Sequence, residues 1–375
     1  MTFAAPATDG PLRAPAAVFT AVGKPLEIRQ LQVREPHSHE IRVRMAATGV
    51  CHTDQSIFSA AVPFPPQLVL GHEGAGVVES VGSDVMDLKA GDHVVLTWLT
   101  QCGACFYCSN GQPELCTTKG SGEGADPRFT ADGCAVGQLA GVGTFSSVVV
   151  VDALTAIKIP AEVPLTSACL IGCGVLTGIG AAKNTARVAP GDAVAVVGCG
   201  GVGLNVIQGA RLAGAAQIIA IDRKPEKLGL AQRFGATSTI LSTEGSDLIA
   251  SVHDMTDGRG ADITFEVVGS PAVAREALDI TRPGGRMCVV GAAPLSATLE
   301  IPMYSALISQ QKSVVGCRCG SANLREDVPF IVERYQRGDL LLDELVGDVV
   351  RLAQINEVLD NIDSALVART LVCFD

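Results

Sequence analysis

Ala-Val-Ala-Val-Val-Gly-Cys-Gly-Gly-Val-Gly, residues 193–203, joins an apolar run to a glycine-rich turn. The apolar run predicts a buried strand, and residues 202–212 predict the helix that follows the turn. The turn has the pattern G-x-G-x-x-G, in which Gly198 allows a tight bend, Gly200 lets a pyrophosphate approach the backbone and Gly203 lets helix and strand pack closely. The stretch therefore predicts a dinucleotide-binding site at the helix N-terminus, where unpaired N–H groups favour an anion. The alternative is a generic tight turn before a helix.

The next predicted strand, residues 217–221, is followed by Asp222. An acid about 20 residues beyond such glycines binds the adenosine ribose hydroxyls and selects NAD. Arg223 could instead contact the 2′-phosphate of NADP, but the carboxylate of Asp222 would repel that phosphate. The pair predicts NAD, with NADP as the alternative.

Strands and helices alternate on the C-terminal side of the glycines. Further segments are predicted as strands at 263–268, 287–290 and 313–316 and as a helix at 225–234. Apolar strands with intervening helices indicate a parallel sheet covered on both faces, which is an α/β, doubly wound Rossmann fold. Beyond about residue 318 the pattern predicts helices and no new sheet motif.

The N-terminal half has a different pattern, with short β-type runs between turn residues from about residue 16 to residue 150. Predicted strands are 40–45, 68–70, 76–81, 93–96 and 145–151. Regularly spaced short strands with Gly and Pro between them predict a β-rich, barrel-like domain. Residues 117–143 are predicted as a long loop, and residues 1–13 as a frayed terminus.

The composition limits the function classes. The chain has 375 residues with 47% hydrophobic and 18% charged residues, which predicts a globular protein of two domains. The net charge of −11 argues against a nucleic-acid partner. Thirteen scattered cysteines, without a visible signal peptide, predict reduced thiols and a cytoplasmic location. The uncharged residues 163–182 contain several Gly, Ser, Thr and Pro residues, so we expect a buried internal segment and no membrane span.

Four cysteines lie close together in sequence: Cys102, Cys105, Cys108 and Cys116, spaced C-x2-C-x2-C-x7-C. Four thiolates fill all positions of a tetrahedral Zn²⁺ and leave none for substrate, which predicts a structural site. Chance surface thiols or two disulfides are the alternatives.

Cys51, His72 and Cys173 are three further metal-ligand types, each flanked by glycine. Two thiolates and one imidazole would leave the fourth position of a zinc ion open, as catalysis requires. Spacing alone does not group these residues. A core histidine and two small apolar cysteines are the alternative.

Nearly the whole chain, from about residue 16 to residue 374, resembles the medium-chain, zinc-dependent alcohol dehydrogenases. The motifs that carry the resemblance are residues 49–54 (Gly-Val-Cys-His-Thr-Asp), 71–76 (Gly-His-Glu-Gly-Ala-Gly), the four-cysteine lobe, residues 198–203, Gly284-Gly285-Arg286 and Arg369-Thr370. The resemblance implies a GroES-like barrel as catalytic domain, residues 1–177 and 319–375, with a structural zinc lobe at about 100–118. It also implies a Rossmann NAD-binding domain at residues 178–318 and an active site in the cleft between the two.

The same resemblance implies two zinc ions per chain, with Cys51, His72 and Cys173 as ligands of the catalytic one. The implied reaction is the reversible, NAD-dependent oxidation of an alcohol by hydride transfer from a zinc-bound alkoxide. Glu73 matches a carboxylate near the metal, and Asp54 matches one that orients the imidazole. Two surface acids are the alternative.

Thr53 matches the hydroxyl that accepts the alcohol proton. Many relatives end the proton relay with a histidine at the position that Ser56 occupies here. Water or Ser56 is therefore expected to pass the proton outward, and the pH dependence near 6–7 is expected to be flatter than with an imidazole at this position.

The resemblance also assigns coenzyme contacts. These fall on His52, Thr177, Gly198, Gly200, Gly201, Val202, Gly203, Asp222, Lys227, Val290 and Arg369. His52 and Arg369 would contact the pyrophosphate, and because His52 is only partly charged at neutral pH, we expect fast, pH-sensitive coenzyme release. A solvated helix charge is the alternative for Lys227.

Trp98 matches an aromatic residue placed over the substrate, with core packing as its alternative, and Leu139 and Ala140 are further expected lining residues. Residues 117–124 contain no arginine of the kind that glutathione-dependent relatives use, which favours a hydrophobic primary, aromatic or secondary alcohol. The alternatives are a thiol-adduct (glutathione-type) formaldehyde dehydrogenase and a zinc-stabilised binding module without catalysis. By analogy, residues 299–316 predict a homodimer.

Overall fold

The computed structural model describes residues 12–118, 126–362 and 368–374. Its strands are β1 (Arg13–Phe19), β2 (Glu27–Val33), β3 (Glu40–Gly49), β4 (Leu68–Val69), β5 (Glu73–Val81), β6 (His93–Leu96), β7 (Phe129–Ala131), β8 (Cys134–Gln138), β9 (Val148–Asp152), β10 (Ala156–Ile159), β11 (Ala193–Val197), β12 (Gln217–Asp222), β13 (Ser238–Leu241), β14 (Ala261–Glu266), β15 (Thr281–Val289), β16 (Ser313–Gly316), β17 (Val346–Val350) and β18 (Arg369–Cys373).

The α-helices are α1 (His52–Phe58), α2 (Phe106–Ser109), α3 (Leu165–Ala168), α4 (Gly174–Gly180), α5 (Gly201–Leu212), α6 (Pro225–Phe234), α7 (Leu248–Met255), α8 (Pro271–Asp279), α9 (Leu324–Gln336) and α10 (Ile355–Asn361). Short 3-10 turns are Pro113–Leu115, Leu139–Gly141, Ala153–Thr155, Cys169–Gly172, Cys319–Ser321, Asp343–Leu345 and Leu352–Gln354, and π-type turns are Ala181–Thr185 and Met303–Ser309. The frayed terminus predicted for residues 1–13 lies almost entirely outside the described residues.

A six-stranded parallel sheet has the order β13-β12-β11-β14-β15-β16. The chain enters it at β11, in the middle, builds outward to β13 and then returns to β14 on the other side. All five residues of β11 are buried, which explains its continuous apolar sequence. The predicted doubly wound fold is confirmed, and the reversal beside β11 creates a crevice at the carboxyl ends of the strands, where such folds bind ligands.

The other part of the chain forms a closed barrel, β1-β2-β7-β8-β4, and a seven-stranded sheet, β10-β6-β5-β3-β18-β17 with β9 also paired to β3. The predicted GroES-like, β-rich architecture is confirmed. The predicted long loop at 117–143 is wrong in part, because β7 and β8 form a hairpin with Phe129 opposite Val136. Its turn is Asp132-Gly133, and both residues have positive φ, at 50° and 77°. Asp-Gly is a strong hairpin signal.

The prediction of no strand beyond residue 318 is also wrong. β18 pairs with β3, with Leu371 opposite Gly49, and with β17 on its other side. Leu371 and Val372 are fully buried, but the strand is short and its partner lies far away in sequence, so local periodicity gave little indication of it. This pairing joins the C-terminal segment to the N-terminal sheet.

The uncharged segment 163–182 is a buried helical region, as predicted. Ile171, Val175 and Leu176 are fully buried, and α4 packs against α5 of the parallel-sheet region. Within the described residues no single helix is long and apolar enough to cross a membrane; only Leu165–Gly172 and Gly174–Thr185, bent by 57°, would meet that test together.

Candidate active site

Four chemically reactive side chains meet where the barrel region approaches the parallel sheet. Cys51 precedes α1, His72 and Glu73 lie at the start of β5, and Cys173 precedes α4. Their ligand-type atoms all lie within 4.8 Å of one another, and these four side chains are called the metal cluster below. The structure therefore brings together the three residues that spacing alone could not group, and it adds the carboxylate of Glu73.

Asp54 organises two of these residues. Its carboxylate is fully buried, and Oδ2 accepts a hydrogen bond from the backbone N–H of Cys51 at 3.1 Å, which closes a capping box on α1. Oδ1 accepts from the backbone N–H of Gly71 at 2.9 Å and lies 3.2 Å from Nδ1 of His72. One carboxylate thus holds the backbone of two neighbouring segments and fixes the orientation of the imidazole.

The second imidazole nitrogen, Nε2 of His72, is buried without a hydrogen-bond partner among the described residues. A buried polar atom without a partner is costly, and Nε2 lies beside the thiols of Cys51 and Cys173. If Nδ1 donates its proton to the carboxylate, the neutral imidazole would offer the lone pair of Nε2 to a metal. One nitrogen and two sulfurs are the donors that Zn²⁺ prefers, so these residues fit a zinc ion.

Contacts within and around the cluster shift the pKa values of its cysteines and histidine. The thiol of Cys173, hydrogen-bonded to Cys51, holds the pKa of Cys51 well below its usual value despite burial, and Arg369 acts in the same direction. The pKa of Cys173 is raised by the same hydrogen bond and by burial. Burial alone would lower the pKa of His72, but the Asp54 carboxylate raises it. A positive ion in this cluster would therefore meet a thiolate already favoured at Cys51.

Glu73 and Arg369 link the cluster to the glycine turn. Oε1 of Glu73 accepts a hydrogen bond from Nη2 of Arg369 at 2.9 Å, whereas Oε2 is buried without a partner among the residues described. Burial raises the pKa of Glu73 to about 7, although Arg369 opposes this shift. A Cβ placed on Gly201 would lie 3.6 Å from Cζ of Arg369. The guanidinium therefore lies between the carboxylate of the metal cluster and the first residue of α5.

The glycine turn has the geometry that its sequence predicts. Gly198 has a φ of +102°, and a side chain at Gly203 would collide with the carbonyl of Gly198. A Cβ on Gly200 would have no atom within 4 Å, so the space above it is open. Asp222 accepts hydrogen bonds from the backbone N–H of Cys199 at 2.8 Å and of Lys224 at 2.9 Å. The acid at the end of β12 thus braces the turn.

The remaining predicted residues lie around these two centres. Thr53 is exposed, with Oγ1 3.8 Å from Sγ of Cys51, and Ser56 lies about one turn further along α1. His52 is exposed beside Cys51. Thr177 lies on α4, and its backbone N–H donates to the carbonyl of Cys173 at 2.8 Å.

On the nucleotide side, Val202 lies in the first turn of α5 and Lys227 is half-buried on α6, close enough to Cys199 for its charge to act on that thiol. The backbone N–H of Val290 donates to the carbonyl of Glu266 at 2.9 Å, beyond the end of β15. Trp98 is half-buried, just beyond the end of β6. Leu139 is buried in the barrel core, and the neighbouring Ala140 is exposed. The stretch 117–124 lies mostly outside the described residues.

The four-cysteine lobe forms a second, separate cluster. The sulfur atoms of Cys102, Cys105, Cys108 and Cys116 all lie within 4.8 Å of one another. Backbone N–H groups point at them: that of Cys105 lies 3.3 Å from Sγ of Cys102. Backbone hydrogen bonds from Cys108 and Thr117 lower the pKa of Cys105 to about 6. All thirteen cysteines are free thiols, so the two-disulfide alternative does not hold, and the four convergent sulfurs fit a structural zinc.

Two features near the metal cluster have no counterpart in the predictions. Cys319 is buried and receives a hydrogen bond from Thr177, and its charge would act on Cys173. Arg318 precedes it and lies over the ring of Trp98, with Cζ 5.5 Å from the ring centroid. The run Gly-Cys-Arg-Cys-Gly at residues 316–320 was the only sequence signal for either residue.

Two cavities lie in different parts of the molecule, one beside the four-cysteine lobe and one beside the glycine turn. A cavity of about 950 Å³ is lined by Cys102, Lys183, Arg286 and Asp327, beside the lobe and away from His72. A much smaller one is lined by Gly174, Gly201 and Arg369. We associate the reaction with the smaller cavity, despite its size, because it alone of the two is lined by Arg369, the hydrogen-bond partner of Glu73, and by Gly201 of the glycine turn.

Two protein-family models match the chain. Residues 37–161 match the alcohol dehydrogenase GroES-like domain, and residues 201–334 match the zinc-binding dehydrogenase family. The first contains both cysteine clusters except Cys173, and the second begins within the glycine turn.

Full-length relatives agree with these matches. The chain is 38% identical over 367 residues to a probable S-(hydroxymethyl)glutathione dehydrogenase 1 of Schizosaccharomyces pombe, covering 95% of this chain and 96% of that protein. It is 39% identical to alcohol dehydrogenase class-3 of Drosophila melanogaster, covering 98% and 99% of the two chains. Among solved structures, benzyl alcohol dehydrogenase of Acinetobacter calcoaceticus is 31% identical with a TM-score of 0.89, covering 97% of this chain and all of that one. The chain belongs to the medium-chain, zinc-dependent alcohol dehydrogenase family and is an oxidoreductase of alcohols and aldehydes that uses zinc and NAD.

Proposed function

We propose that this chain oxidises a primary, aromatic or secondary alcohol at the Cys51, His72 and Cys173 cluster and passes the hydride to NAD. The observation that carries the proposal is Nε2 of His72, buried without a partner and placed beside two thiols. Arg369 connects this cluster to the glycine turn, so metal and coenzyme would share one cleft. When bound, zinc supplies a Lewis acid that polarises the alcohol oxygen, and NAD supplies the hydride acceptor.

In this proposal, side chains of the protein orient the imidazole ligand and transfer the proton of the alcohol. Asp54 fixes the His72 ring so that Nε2 would be available to hold a zinc ion together with Cys51 and Cys173. The hydroxyl of Thr53, 3.8 Å from Sγ of Cys51, receives the alcohol proton. A neutral hydroxyl cannot retain that proton, so it must pass on to solvent, to which Thr53 is exposed, or to Ser56. Ser56→His is therefore expected to steepen the dependence of kcat on pH between about 6 and 7.

A thiol adduct is the second candidate substrate. Relatives at 37–39% identity carry the name S-(hydroxymethyl)glutathione dehydrogenase or alcohol dehydrogenase class-3. A hydroxymethyl-thiol adduct presents the same primary hydroxyl to the metal, so both candidates use one reaction centre.

The test is NAD⁺ reduction with benzyl alcohol, 2-propanol and S-(hydroxymethyl)glutathione, with zinc measured on the same sample. Wild-type protein is expected to contain two zinc ions per chain, and Cys51→Ser is expected to lose one of them together with the activity. Cys134→Ser, which changes an exposed cysteine outside both clusters, is the matched control and should retain both ions. Full activity in Cys51→Ser would contradict the proposal.

We also propose that the chain forms a homodimer through the segment beside the edge strand β16. Leu295, Met303, Tyr304 and Ile308 are between 59% and 78% exposed, an unusual density of apolar side chains at a sheet edge. Tyr304→Lys is expected to shift the mass measured by light scattering from two chains to one.

The domain boundaries also stay a proposal: residues 1–177 and 319–375 as catalytic domain, and 178–318 as NAD-binding domain. The pairing of β18 with β3 supports the return of the C-terminal segment to the first domain. The thirteen free cysteines support the proposed cytoplasmic location.

A further inference from the structure

We propose that Arg318 determines substrate specificity by binding a carboxylate carried by the alcohol, while Trp98 packs against the body of the same molecule. This inference rests on the proposed alcohol oxidation at the Cys51, His72 and Cys173 cluster. It is more specific than that proposal because it adds a cationic subsite to the substrate cleft.

Both residues are close in sequence to residues that approach Cys173 or its neighbours. Trp98 follows β6, and a side chain at Gly172, the residue before Cys173, would collide with the carbonyl of Leu96 at the end of that strand. Trp98 is thus two residues beyond Leu96, whose carbonyl lies against the residue that precedes Cys173.

Arg318 approaches the same point from the other side. It precedes Cys319, which contacts Thr177 on α4 and whose charge would act on Cys173. A Cβ on Gly320 would come within 2.8 Å of Cα of Gly180, so this segment packs closely along α4. Trp98 and Arg318 therefore meet between two segments that pack against residues 172–180, the part of the chain that contains Cys173 and α4.

The contact between them leaves the guanidinium available. Cζ of Arg318 lies 5.5 Å from the centroid of the Trp98 ring, a distance typical of a cation–π pair. The Arg318 side chain is exposed and makes no ion pair or hydrogen bond with any residue in the ranges that the structure describes. The N–H groups of the guanidinium are therefore available to donate to a ligand while Cζ stays over the ring.

A carboxylate is the ligand that this arrangement suits. A guanidinium donates two parallel hydrogen bonds to a carboxylate, and because its planar fork is pre-organised, less entropy is lost for each bond formed. The ring of Trp98 offers an apolar face to the part of the substrate between the carboxylate and the hydroxyl. The required substrate is an alcohol whose hydroxyl reaches the metal while its carboxylate reaches Arg318.

Two sources share this chemistry: an aromatic alcohol with a ring carboxylate, and a hydroxymethyl adduct of a carboxylate-bearing thiol peptide. The kinetic test compares benzyl alcohol, 4-(hydroxymethyl)benzoate and S-(hydroxymethyl)glutathione in wild type, Arg318→Gln and Arg318→Lys. Arg325→Gln is the matched control, because Arg325 is another exposed arginine and makes no contact with Trp98. Zinc content and far-UV circular dichroism establish that each variant is folded.

Arg318→Gln is expected to lower kcat/KM at least about tenfold for one or both carboxylates, mainly through KM, and to change that for benzyl alcohol less than about twofold. Arg318→Lys is expected to fall between wild type and Arg318→Gln, because it keeps the charge without the planar fork. The carboxylate that loses most identifies the source. Equal changes for neutral and anionic alcohols in Arg318→Gln would overturn the inference and leave alcohol oxidation standing.

A binding measurement keeps the two proposals apart. Trp98 is the only tryptophan in the chain, so its fluorescence reports on this contact directly. 4-(Hydroxymethyl)benzoate is expected to change the emission of wild type at concentrations at least about tenfold below those needed for Arg318→Gln. If it does so in a protein that oxidises no alcohol, the reaction is wrong and the carboxylate subsite stands; if the wild-type and Arg318→Gln titrations coincide, the subsite is wrong.

Discussion

Replacement of Asp54 by asparagine tests the organisation of the metal cluster with almost no change in side-chain shape. The carboxylate accepts from the backbone N–H of Cys51 through Oδ2, and from Gly71 and His72 through Oδ1. In Asp54→Asn an NH2 group replaces one oxygen, so at least one of these donors faces another donor. Asp54 is fully buried, so water cannot replace the lost acceptor.

The two orientations of the new amide have different costs. With its NH2 toward Cys51, one backbone N–H is left without an acceptor, which costs about 1–3 kcal/mol of unfolding free energy. With its NH2 toward His72, the imidazole must accept through Nδ1 and carry its proton on Nε2, where it would block the metal. The first orientation should dominate, and even there His72 loses a charged partner, which typically lowers metal affinity about 10- to 100-fold.

We therefore expect Asp54→Asn to unfold at lower urea concentration and to lose one zinc ion at a chelator concentration about 10- to 100-fold lower than wild type. Activity in the presence of chelator should fall in parallel with that zinc. Asp87→Asn makes the same charge change at an exposed position and should resemble wild type in all three measurements. Retention of both zinc ions by Asp54→Asn at wild-type chelator concentrations would refute the role given to this carboxylate.

Three further predictions follow from the same contacts. Cys108→Ser is expected to release the structural zinc, to leave the other ion in place and to lower the thermal unfolding midpoint, as zinc analysis and calorimetry would show; an unchanged zinc content would contradict it. Burial disfavours the charge of Glu40, but hydrogen bonds from Arg34, a backbone amide and Arg128 outweigh this effect and lower the pKa to about 2 from 4.5. The ionised carboxylate therefore contributes about 3 kcal/mol to the free energy of unfolding above pH 4.5, and this contribution is lost as the pH falls toward 2. Glu40→Gln should cost that amount in urea unfolding at pH 7 and much less at pH 3; an equal loss at both pH values would exclude the linkage. Asp222→Ser removes the carboxylate that would repel a 2′-phosphate and should raise kcat/KM for NADP relative to NAD at least about tenfold; an unchanged ratio would assign coenzyme selection elsewhere.

Local sequence predicted those parts of the fold in which one segment contains the whole signal. α6 begins and ends at the predicted residues, 225–234, because Pro at its first position and Gly235 after its last mark both ends. β11 and the glycine turn were predictable because a fully buried parallel strand is an uninterrupted apolar run. The hairpin of β7 and β8 was missed although Asp132-Gly133 is a strong turn signal, because the strands themselves are only three and five residues long.

The four-cysteine lobe and the metal cluster also differ in how far local sequence predicted them. The four lobe cysteines are close in sequence, so their spacing predicted convergence, and their sulfurs do converge within 4.8 Å. Cys51, His72 and Cys173 could be grouped only through the family resemblance, because no periodicity relates residues that fold together from separate elements. The contact between Trp98 and Arg318 had no sequence signal, since neither residue type implies the other.

Arg369 shows why the site depends on the whole fold. Its partner Glu73 lies 296 residues away in sequence, and the two meet because β18 pairs with β3, the strand that also pairs with β5. The same strand places the guanidinium against Gly201, so one side chain contacts both the metal cluster and the start of α5. Burial raises the pKa of Glu73 to about 7 even with this cation beside it, so any ligand that draws Arg369 toward the glycine turn would favour the neutral form of Glu73 further. A coenzyme that binds Arg369 would therefore be coupled to the charge of Glu73 through a strand that no local pattern identified.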